Sequence, residues 1–333
     1  MCINEGMKEV PCFVVHLSEE KERQANIALN KISGRFDEDK LKAVLKGLSP
    51  SVVKLAGFDP KDLMQMSIGP IIREDEAPEP PKTPISKLGD IWQLGEHRLM
   101  CGDSTDAEAV AKLMDGRKAD IIFTDPPYNS ASESKNYAAD CSKAMGMLAL
   151  AEWDKGFNII TVLKNILNAI SDNASVYICT SHFLAGDIWA WMKTWADHYY
   201  YCIWSKPNPM PSLSKRHWTW NTELICYATR GKHIFNFPNE GHALSTWIIN
   251  KRNGDTGHPT EKPVGVPANA IIHSSNEGCS VLDLFGGSGS TLIACEQLGR
   301  KCYMMELDPH YCDVIIQRWE NLTGEKAVML SEK

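Results

Sequence analysis

The segment "IIFTDPPYNS" at 121–130 places one carboxylate and one aromatic ring directly after an apolar run that is typical of a buried strand. Pro126 and Pro127 have no N–H and a fixed φ, so the strand must end there. The residue before a proline is also held in extended geometry. Asp125 and Tyr128 therefore leave the predicted sheet on a rigid support, which is what a binding or catalytic site requires.

A second candidate site is the glycine-rich "VLDLFGGSGST" at 281–291, typical of a strand, a tight turn and a helix start. Glycines allow such a turn and let a ligand approach the backbone. Glu306 ends the next predicted strand, 20 residues after Gly286, where a carboxylate could bind both hydroxyls of a ribose. This pattern predicts a nucleotide-like ligand. By itself it fits a nicotinamide cofactor and S-adenosylmethionine (AdoMet) equally well, although Leu292 stands where the third glycine of the dinucleotide pattern would be.

The elements that must position these residues alternate between strand and helix after about residue 88. Buried strands are predicted in "ADIIFTDPPY", "ASVYICTS", "CSVLDLF" and "KCYMMELD", each with a helical segment after it, whereas 231–260 is predicted to be rich in loops. This alternation predicts an α/β fold with a mostly parallel, doubly wound sheet. Ligands bind such sheets at the carboxyl ends of the strands. The loops after Cys101, Thr124, Phe285 and Glu306 should all lie at that edge.

Composition narrows the class of protein. The 333 residues are 43% hydrophobic and 23% charged, as in a globular chain, and the net charge of -7 argues weakly against a nonspecific polycation. No apolar run reaches about 18 residues and no secretory leader is recognisable, so no membrane partner is expected. The 11 cysteines form no CxxC pair, so we expect no metal site and small buried thiols in a reducing cytoplasm.

Three motifs taken together resemble the DNA amino-methyltransferases: "DPPY", "DLFGGSGST" and "GHPTEKPV" at 257–264. Because the acid–proline motif comes first and the glycine turn last, the chain resembles the beta class of that family, a permuted form of the Rossmann-like AdoMet-dependent methyltransferase fold. "CGDSTD" is similar to a further element of the group, and Glu261 stands where glutamine is usual. The resemblance covers about 88–326.

The resemblance implies roles for the acid–proline motif. Asp125 and the backbone carbonyl of Pro126 would accept the two N–H groups of the exocyclic amine of a base flipped out of duplex DNA, and Pro127 would keep that carbonyl rigid. Tyr128 would stack on the base. An aspartate rather than a serine at this position favours adenine N6, by resemblance, with cytosine N4 as the alternative.

The resemblance also assigns the cofactor AdoMet to a set of nearby residues. Glu306 would bind the ribose, Asp103 would face the adenine ring, and Thr260 and Lys262 would contact the methionine end. Asp283 would order the turn. The full set of expected cofactor contacts is Asp103, Thr260, Lys262, Asp283, Phe285, Gly286, Gly287, Gly289 and Glu306.

A DNA-facing surface is predicted in 205–257, which carries seven basic and three acidic side chains, a local excess of four positive charges. Its stretch "SKPNPMPSLSKRHWTWN" interleaves basic and aromatic residues, as phosphate contact and base stacking would require. With 129–152 it is interpreted as the target-recognition region. The expected DNA contacts are Lys206, Lys215, Arg216 and Trp218.

The front of the chain differs in character. Residues 1–72 are predicted to form a small, α-rich segment, and part of it resembles the trailing part of a ParB-like N-terminal domain, in truncated form. An acidic, proline-rich linker follows at 73–87, because "REDEAPEPPKTP" favours neither helix nor strand. The remaining 88–326 would be the methyltransferase domain.

These observations predict an AdoMet-dependent DNA adenine-N6 methyltransferase that acts on double-stranded DNA in a bacterial cytoplasm and is encoded by a bacterium or a phage. A restriction-modification role fits this class, and a homodimer is one expected state because dimers are frequent in the resembled group. The alternatives are a cytosine-N4 enzyme and a DNA-binding adaptor with an inactive methyltransferase fold. Titration with AdoMet would separate the adaptor from either enzyme.

Overall fold

The computed structural model describes residues 76–128, 157–207, 209, 218–237, 243–250 and 262–330. The chain divides into two units, Met1–Ile71 and Ile72–Lys333, and every element below belongs to the second. The predictions for residues 1–72 and 129–152, and those for Lys215, Arg216 and Thr260, lie outside the described residues.

The strands of the described residues are β1 (Ile91–Leu94), β2 (His97–Cys101), β3 (Ala119–Thr124), β4 (Ile170–Thr180), β5 (His198–Ser205), β6 (Thr222–Arg230), β7 (Thr246–Ile248), β8 (Ser280–Asp283), β9 (Lys301–Glu306) and β10 (Val328–Leu330). The helices are α1 (Ala107–Met114), α2 (Ile159–Ala169), α3 (Ala185–Met192), α4 (Gly265–Ser274), α5 (Ser290–Leu298) and α6 (Pro309–Thr323).

These strands form one sheet in the order β10-β1-β2-β9-β8-β3-β4-β6-β5-β7. The centre from β2 to β4 is parallel, as predicted, and confirms the doubly wound α/β class. Both flanks contain antiparallel pairs, β10-β1-β2 on one side and β4-β6-β5 on the other. β8 carries the glycine turn and comes late in the chain, yet it lies between β9 and β3 in the sheet. The glycine turn and the acid–proline motif are therefore far apart in sequence and adjacent in space.

Two short strands were not predicted. β7 falls within 231–260, which the sequence indicated as loop, and β10 follows the helix expected to close the domain. Each has three residues, too few to show an alternating pattern. Each pairs with an exposed strand edge, β5 or β1, that only the assembled sheet provides.

The helices begin and end where local chemistry allows. Asp106 caps α1 by accepting hydrogen bonds from two backbone N–H groups, and Asp308 caps α6, with Pro309 in its first turn. Residues of α1, α2 and α3 form one buried cluster with Ile122 and other strand side chains. Because side chains alternate along a strand, Ile121 and Phe123 point to the opposite face, where α4 contacts β3.

This topology determines where the site lies. β3 and β8 are parallel neighbours, with Ile121 opposite Val281, so the acid–proline motif and the glycine turn leave the sheet at the same edge. β9 and β2 follow beside β8, with Cys101 opposite Glu306, which brings the remaining two predicted loops to that edge. The expectation that all four loops share one edge is therefore confirmed. In the part of the chain that the structure describes, no helix combines the length and apolar character needed to cross a membrane.

Candidate active site

The side of the site that was predicted to hold the base, called the base side below, is built on the segment after β3. The Tyr128 hydroxyl donates to Asp125 Oδ1 at 2.8 Å, which closes the acid–proline turn on itself. Ser181, just after β4, donates from its Oγ to the backbone carbonyl of Tyr128 at 3.2 Å. Asp125 and Tyr128 are thus bonded to each other, and the backbone of Tyr128 is also anchored to the end of β4.

Lys262 brings an ammonium group to this carboxylate. Its Nζ donates to Asp125 Oδ2 at 2.5 Å and to Tyr128 Oη at 3.1 Å, and it lies 3.1 Å from Glu223 Oε2. The other oxygen of Glu223 pairs with Lys206. We call these four ionic side chains, Lys206, Glu223, Lys262 and Asp125, the charge cluster. It alternates cation and anion and carries equal numbers of each.

The cluster sets its own charge state. Burial by itself would raise the pKa of Glu223, but the ammonium groups of Lys262 and Lys206 outweigh it and lower that pKa to about 2. Burial would lower the pKa of Lys262, but Asp125 and Glu223 raise it well above the usual range. Burial and the same two carboxylates raise the pKa of the Tyr128 phenol well above its ordinary value. At neutral pH, Lys262 is charged and Tyr128 keeps its proton.

Lys262 was predicted to contact the methionine end of the cofactor, and that contact stays a prediction. Its ammonium lies on the base side, while its backbone carbonyl accepts a 2.6 Å hydrogen bond from Ser290 Oγ at the start of α5. Sequence analysis missed Glu223 altogether. The only signal in the sequence was an acid inside the strand "TELICYATR". A single charged residue near a strand end is too common to identify a site residue.

The side that was predicted to hold the cofactor, called the cofactor side below, is built on the turn between β8 and α5. Gly287 and Gly289 have φ values of 52° and 90°, a region that favours glycine. A Cβ at Gly289 would lie 3.1 Å from Ile315 of α6, so this part of the turn rests on the helix. A Cβ at Gly287 would meet nothing within 4 Å. The turn therefore has an open rim at Gly287, as the approach of a ligand to the backbone requires.

Glu306 closes the turn from the next strand. Its Oε2 accepts from the Gly287 N–H at 2.7 Å and its Oε1 from the Asp308 N–H at 2.9 Å. Burial raises the pKa of this carboxyl to about 7, and the backbone N–H groups oppose the rise. Each carboxylate oxygen has a further lone pair, so the group can accept two hydroxyl donors in addition. A half-buried carboxylate at an open glycine turn fits the ribose that the sequence predicted there.

Asp283 connects the two sides. Its Oδ1 accepts from Thr124 Oγ1 at 2.9 Å and from the Phe285 N–H at 3.0 Å, and its Oδ2 accepts from Thr291 Oγ1 at 2.6 Å. The bond to Thr124 joins the end of β8 to the end of β3. Burial raises the pKa of this carboxyl to about 7 despite these three donors. Asp283 thus contacts both ends of the glycine turn, and its part in binding the cofactor stays a prediction.

The remaining predicted residues are those expected to contact the cofactor and those expected to contact DNA. Asp103 follows β2, and its Oδ1 accepts from the Thr105 N–H and Oγ1, each at 2.8 Å, so it shapes its own turn at the cofactor edge. The Phe285 ring packs edge-on against Phe157, with centroids 5.5 Å apart. Of the predicted DNA contacts, Lys206 belongs to the charge cluster, whereas Trp218 is 97% exposed.

The fold and the site together define an AdoMet-dependent methyltransferase: a glycine turn and a strand-end carboxylate lie beside an acid–proline motif at one edge of a doubly wound sheet. Residues 119–318 match the model of the N6/N4 DNA methylase family. The chain belongs to this family of DNA methyltransferases.

Two curated relatives agree with this membership, and one solved structure shares the fold. The chain is 26% identical over 237 residues to the Type II methyltransferase M2.MboI of Moraxella bovis, covering 61% of this chain and 81% of that protein. It is 28% identical over 232 residues to the Type II methyltransferase M2.DpnII of Streptococcus pneumoniae, covering 60% and 82%. The crystal structure of an M1.HpyAVI–SAM complex has the same fold, with a TM-score of 0.51 and 23% identity over 66% of this chain and 98% of that one.

Proposed function

We propose that this enzyme transfers a methyl group from AdoMet to the exocyclic N6 of adenine, at a specific site in duplex DNA, after flipping the base out of the helix. The observation that carries the proposal is the hydrogen bond between Thr124 and Asp283, which joins the strand of the acid–proline motif to the strand of the glycine turn. A base bound at one motif and a cofactor bound at the other would therefore be neighbours. When bound, AdoMet supplies a methyl group on a positively charged sulfur.

On the base side, the task of the protein is to orient a poor nucleophile. The lone pair of the adenine amine is conjugated with the ring, so the amine needs acceptors that hold its two N–H groups. Asp125 supplies one acceptor, with 26% of its side chain still exposed, and the carbonyl of Pro126 supplies the other. Pro127 keeps that carbonyl rigid, and Tyr128 offers a ring for stacking. Orientation of this kind accounts for a large share of the rate.

On the cofactor side, we assign the ribose hydroxyls to Glu306 and the methionine part to the turn of Gly286, Gly287 and Gly289. Asp103 would face the adenine ring from the end of β2, and Phe285 would flank the cofactor. Asp283 would act through the turn that it orders. Thr260 remains a predicted contact of the methionine end.

For DNA, we assign phosphate contacts to Lys206, Lys215 and Arg216 and stacking to Trp218. Trp218→Ala should lower DNA affinity by about 1–3 kcal/mol, because stacking of one base on an aromatic side chain contributes that much. Since the side chain is 97% exposed, the free energy of unfolding should change by less than about 0.5 kcal/mol. Fluorescence anisotropy and urea denaturation measure the two quantities. Unchanged DNA affinity would exclude Trp218 from the interface.

The decisive experiment is Asp125→Ala. Methyl transfer should fall by about 100-fold or more, because the amine loses an orienting acceptor, while calorimetry should show AdoMet affinity nearly unchanged. Mass spectrometry of nucleosides from the methylated DNA should find N6-methyladenine, and N4-methylcytosine would select the cytosine alternative. Full activity in the variant would contradict the role of Asp125.

We further propose that residues 1–72 are a truncated ParB-like segment, joined through the linker 73–87 to the methyltransferase domain 88–326. Two bacterial relatives named Type II methyltransferases support a place in a restriction-modification system and hence in a bacterial cytoplasm. A homodimer is the proposed state. Light scattering during gel filtration tests it, and deletion of 1–72 with AdoMet binding retained would show that the domain boundary is correct.

A further inference from the structure

The charge cluster poses a question for the base side, because the carboxylate needed by the amine already has a partner. Asp125 Oδ2 lies 2.5 Å from the ammonium of Lys262. A base amine that donates to Asp125 must therefore arrive directly beside a strong hydrogen-bond donor. The side chain of Lys262 is 10% exposed, so little water reaches its ammonium. A base held by Asp125 would take one hydrogen-bond acceptor away from that ammonium unless the base offers another in its place.

An adenine has an acceptor at that place. On its pairing edge the N6 amine, a donor, is adjacent to the ring nitrogen N1, which accepts. In cytosine the N4 amine is adjacent to N3 in the same way. Such an edge is matched by one acceptor beside one donor, and the Asp125 carboxylate with the Lys262 ammonium is a pair of this kind.

We propose that Lys262 reads the target base: it donates to the ring nitrogen next to the reacting amine, N1 in adenine, while Asp125 accepts from the amine. The inference rests on the proposed role of Asp125. It makes Lys262 a base-binding residue that selects an amine adjacent to an accepting ring nitrogen on the pairing edge, as adenine and cytosine have and guanine and thymine lack. Both contacts are charge-assisted hydrogen bonds, which are stronger than neutral ones.

Glu223 explains how Lys262 can leave Asp125 without losing its counter-charge. Its Oε2 is already 3.1 Å from Lys262 Nζ, and its other oxygen is anchored by Lys206. When the base edge takes the place of the contact between Lys262 and Asp125, the ammonium keeps Glu223 as its partner. The Asp125 carboxylate also remains beside the amine as it gains positive charge during transfer.

The experiment uses duplexes that carry the target site found by sequencing DNA methylated by the enzyme. The target adenine is replaced by 1-deazaadenine, which keeps the amine but has C–H in place of N1. Wild-type kcat/KM should fall by about 10- to 100-fold, the range for losing a hydrogen bond to a charged group. Replacement by 7-deazaadenine, altered away from the pairing edge, should leave kcat/KM within about twofold.

The variant Lys262→Met isolates the contact. It should be slower than wild type on adenine, yet show no further loss on 1-deazaadenine, because the donor that reads N1 is gone. The comparison cancels the intrinsic effect of the analogue on the amine and on base pairing. Lys206→Met is the matched control: it also removes an ammonium from Glu223 but should keep the full penalty for 1-deazaadenine.

If Lys262→Met alone does not fold, the double variant E223Q/K262M removes one charge of each sign and serves in its place. A wild-type enzyme that methylates 1-deazaadenine as well as adenine would overturn the proposal, as would a full 1-deazaadenine penalty in the variant. A large loss of AdoMet affinity in Lys262→Met, with that penalty intact, would return Lys262 to the methionine end. Full activity in Asp125→Ala would instead refute the proposed role of Asp125 on which this inference rests. If the target base is cytosine, the same comparison is made with 3-deazacytosine.

Discussion

On the base side of the site, the carboxylates of Asp125 and Glu223 contact lysine ammonium groups, whereas on the cofactor side those of Glu306 and Asp283 accept hydrogen bonds from neutral N–H and O–H groups. The consequence appears in the pKa values. The pKa of Glu223 is lowered to about 2, because the charges of two lysines outweigh the effect of burial. The pKa of Glu306 is raised to about 7 by burial. The base side is therefore charged in advance, while the charge of the cofactor side depends on pH and on the ligand.

The difference suits the two ligands. A flipped base is neutral and must find its acceptor and donor already placed, so the protein balances the charges itself. AdoMet brings hydroxyl donors and positive charge, so acids that are poorly compensated without it are stabilised when it binds. A buried carboxylate without a cation costs free energy in the free protein. We therefore expect the cofactor side to gain more from its ligand than the base side does.

The largest effect on stability should come from Glu223→Gln. The substitution leaves Lys206 and Lys262 with one carboxylate fewer, and removing one partner of a buried ion pair typically costs about 3–5 kcal/mol. Urea denaturation at pH 7 measures the loss. An unchanged free energy of unfolding would show that water, rather than Glu223, balances the charges of the two lysines.

The pH dependence of that loss has a definite sign. Because the folded pKa of Glu223 is lowered to about 2, its stabilising contribution is complete above its ordinary pKa and is lost as pH falls through that range. The difference between wild type and Glu223→Gln should therefore be constant near neutral pH and shrink as pH falls from about 5 towards 2. A difference that grows on acidification would contradict the assignment.

Glu306 should behave in the opposite way. Its folded pKa is raised to about 7, so its contribution to stability is complete at low pH and is lost as pH rises from its ordinary pKa to about 7. The free energy of unfolding of the ligand-free protein should fall over this range by up to about 1.4 kcal/mol per pH unit for this group. Glu306→Gln should remove that part of the slope.

Binding of AdoMet provides a second measure of the same group. Ribose hydroxyls donate to the ionised carboxylate, so affinity should rise with pH up to about 7, by up to about tenfold per unit, and then level off. In Glu306→Gln the affinity should be about 10- to 100-fold lower at pH 8 and depend less on pH, with the remaining dependence coming from Asp283, whose pKa is also raised to about 7. Calorimetry at four pH values tests both statements, and an undiminished pH dependence in the variant would assign the effect to a group other than Glu306.

Among the changes to the buried carboxylates, the smallest effect should come from Thr291→Val. It removes a hydroxyl that donates to the buried Asp283 at 2.6 Å, and an unsatisfied buried acceptor costs about 1–3 kcal/mol. Thr105→Val is the matched control, since its hydroxyl donates to Asp103 where the bond is exposed. The control should cost less than about 0.5 kcal/mol. Equal losses would mean that burial does not distinguish the two carboxylates.

Much of the site could be predicted because its motifs are local. The acid–proline turn and the glycine turn are contiguous stretches whose backbone restrictions are visible in the residue types, and the alternation of strand and helix implied that they share an edge. Glu223 could not be predicted in this way. It is 98 residues from Asp125 along the chain, and its pairing with Lys262 depends on β6 lying beside β4, which no local pattern specifies.

The amino-acid sequence alone predicted the class of fold and the two motifs, because proline, glycine and apolar runs restrict the backbone wherever they occur. The resemblance of those motifs to a known family implied the cofactor. Only the tertiary structure decided which charges meet. It brought the ammonium of Lys262 to Asp125, a contact that the sequence did not predict, and it supplied Glu223 from β6 and Lys206 from the residue after β5. Coulomb interactions depend on distance in space, and the distance between residues far apart in sequence exists only after the sheet has formed.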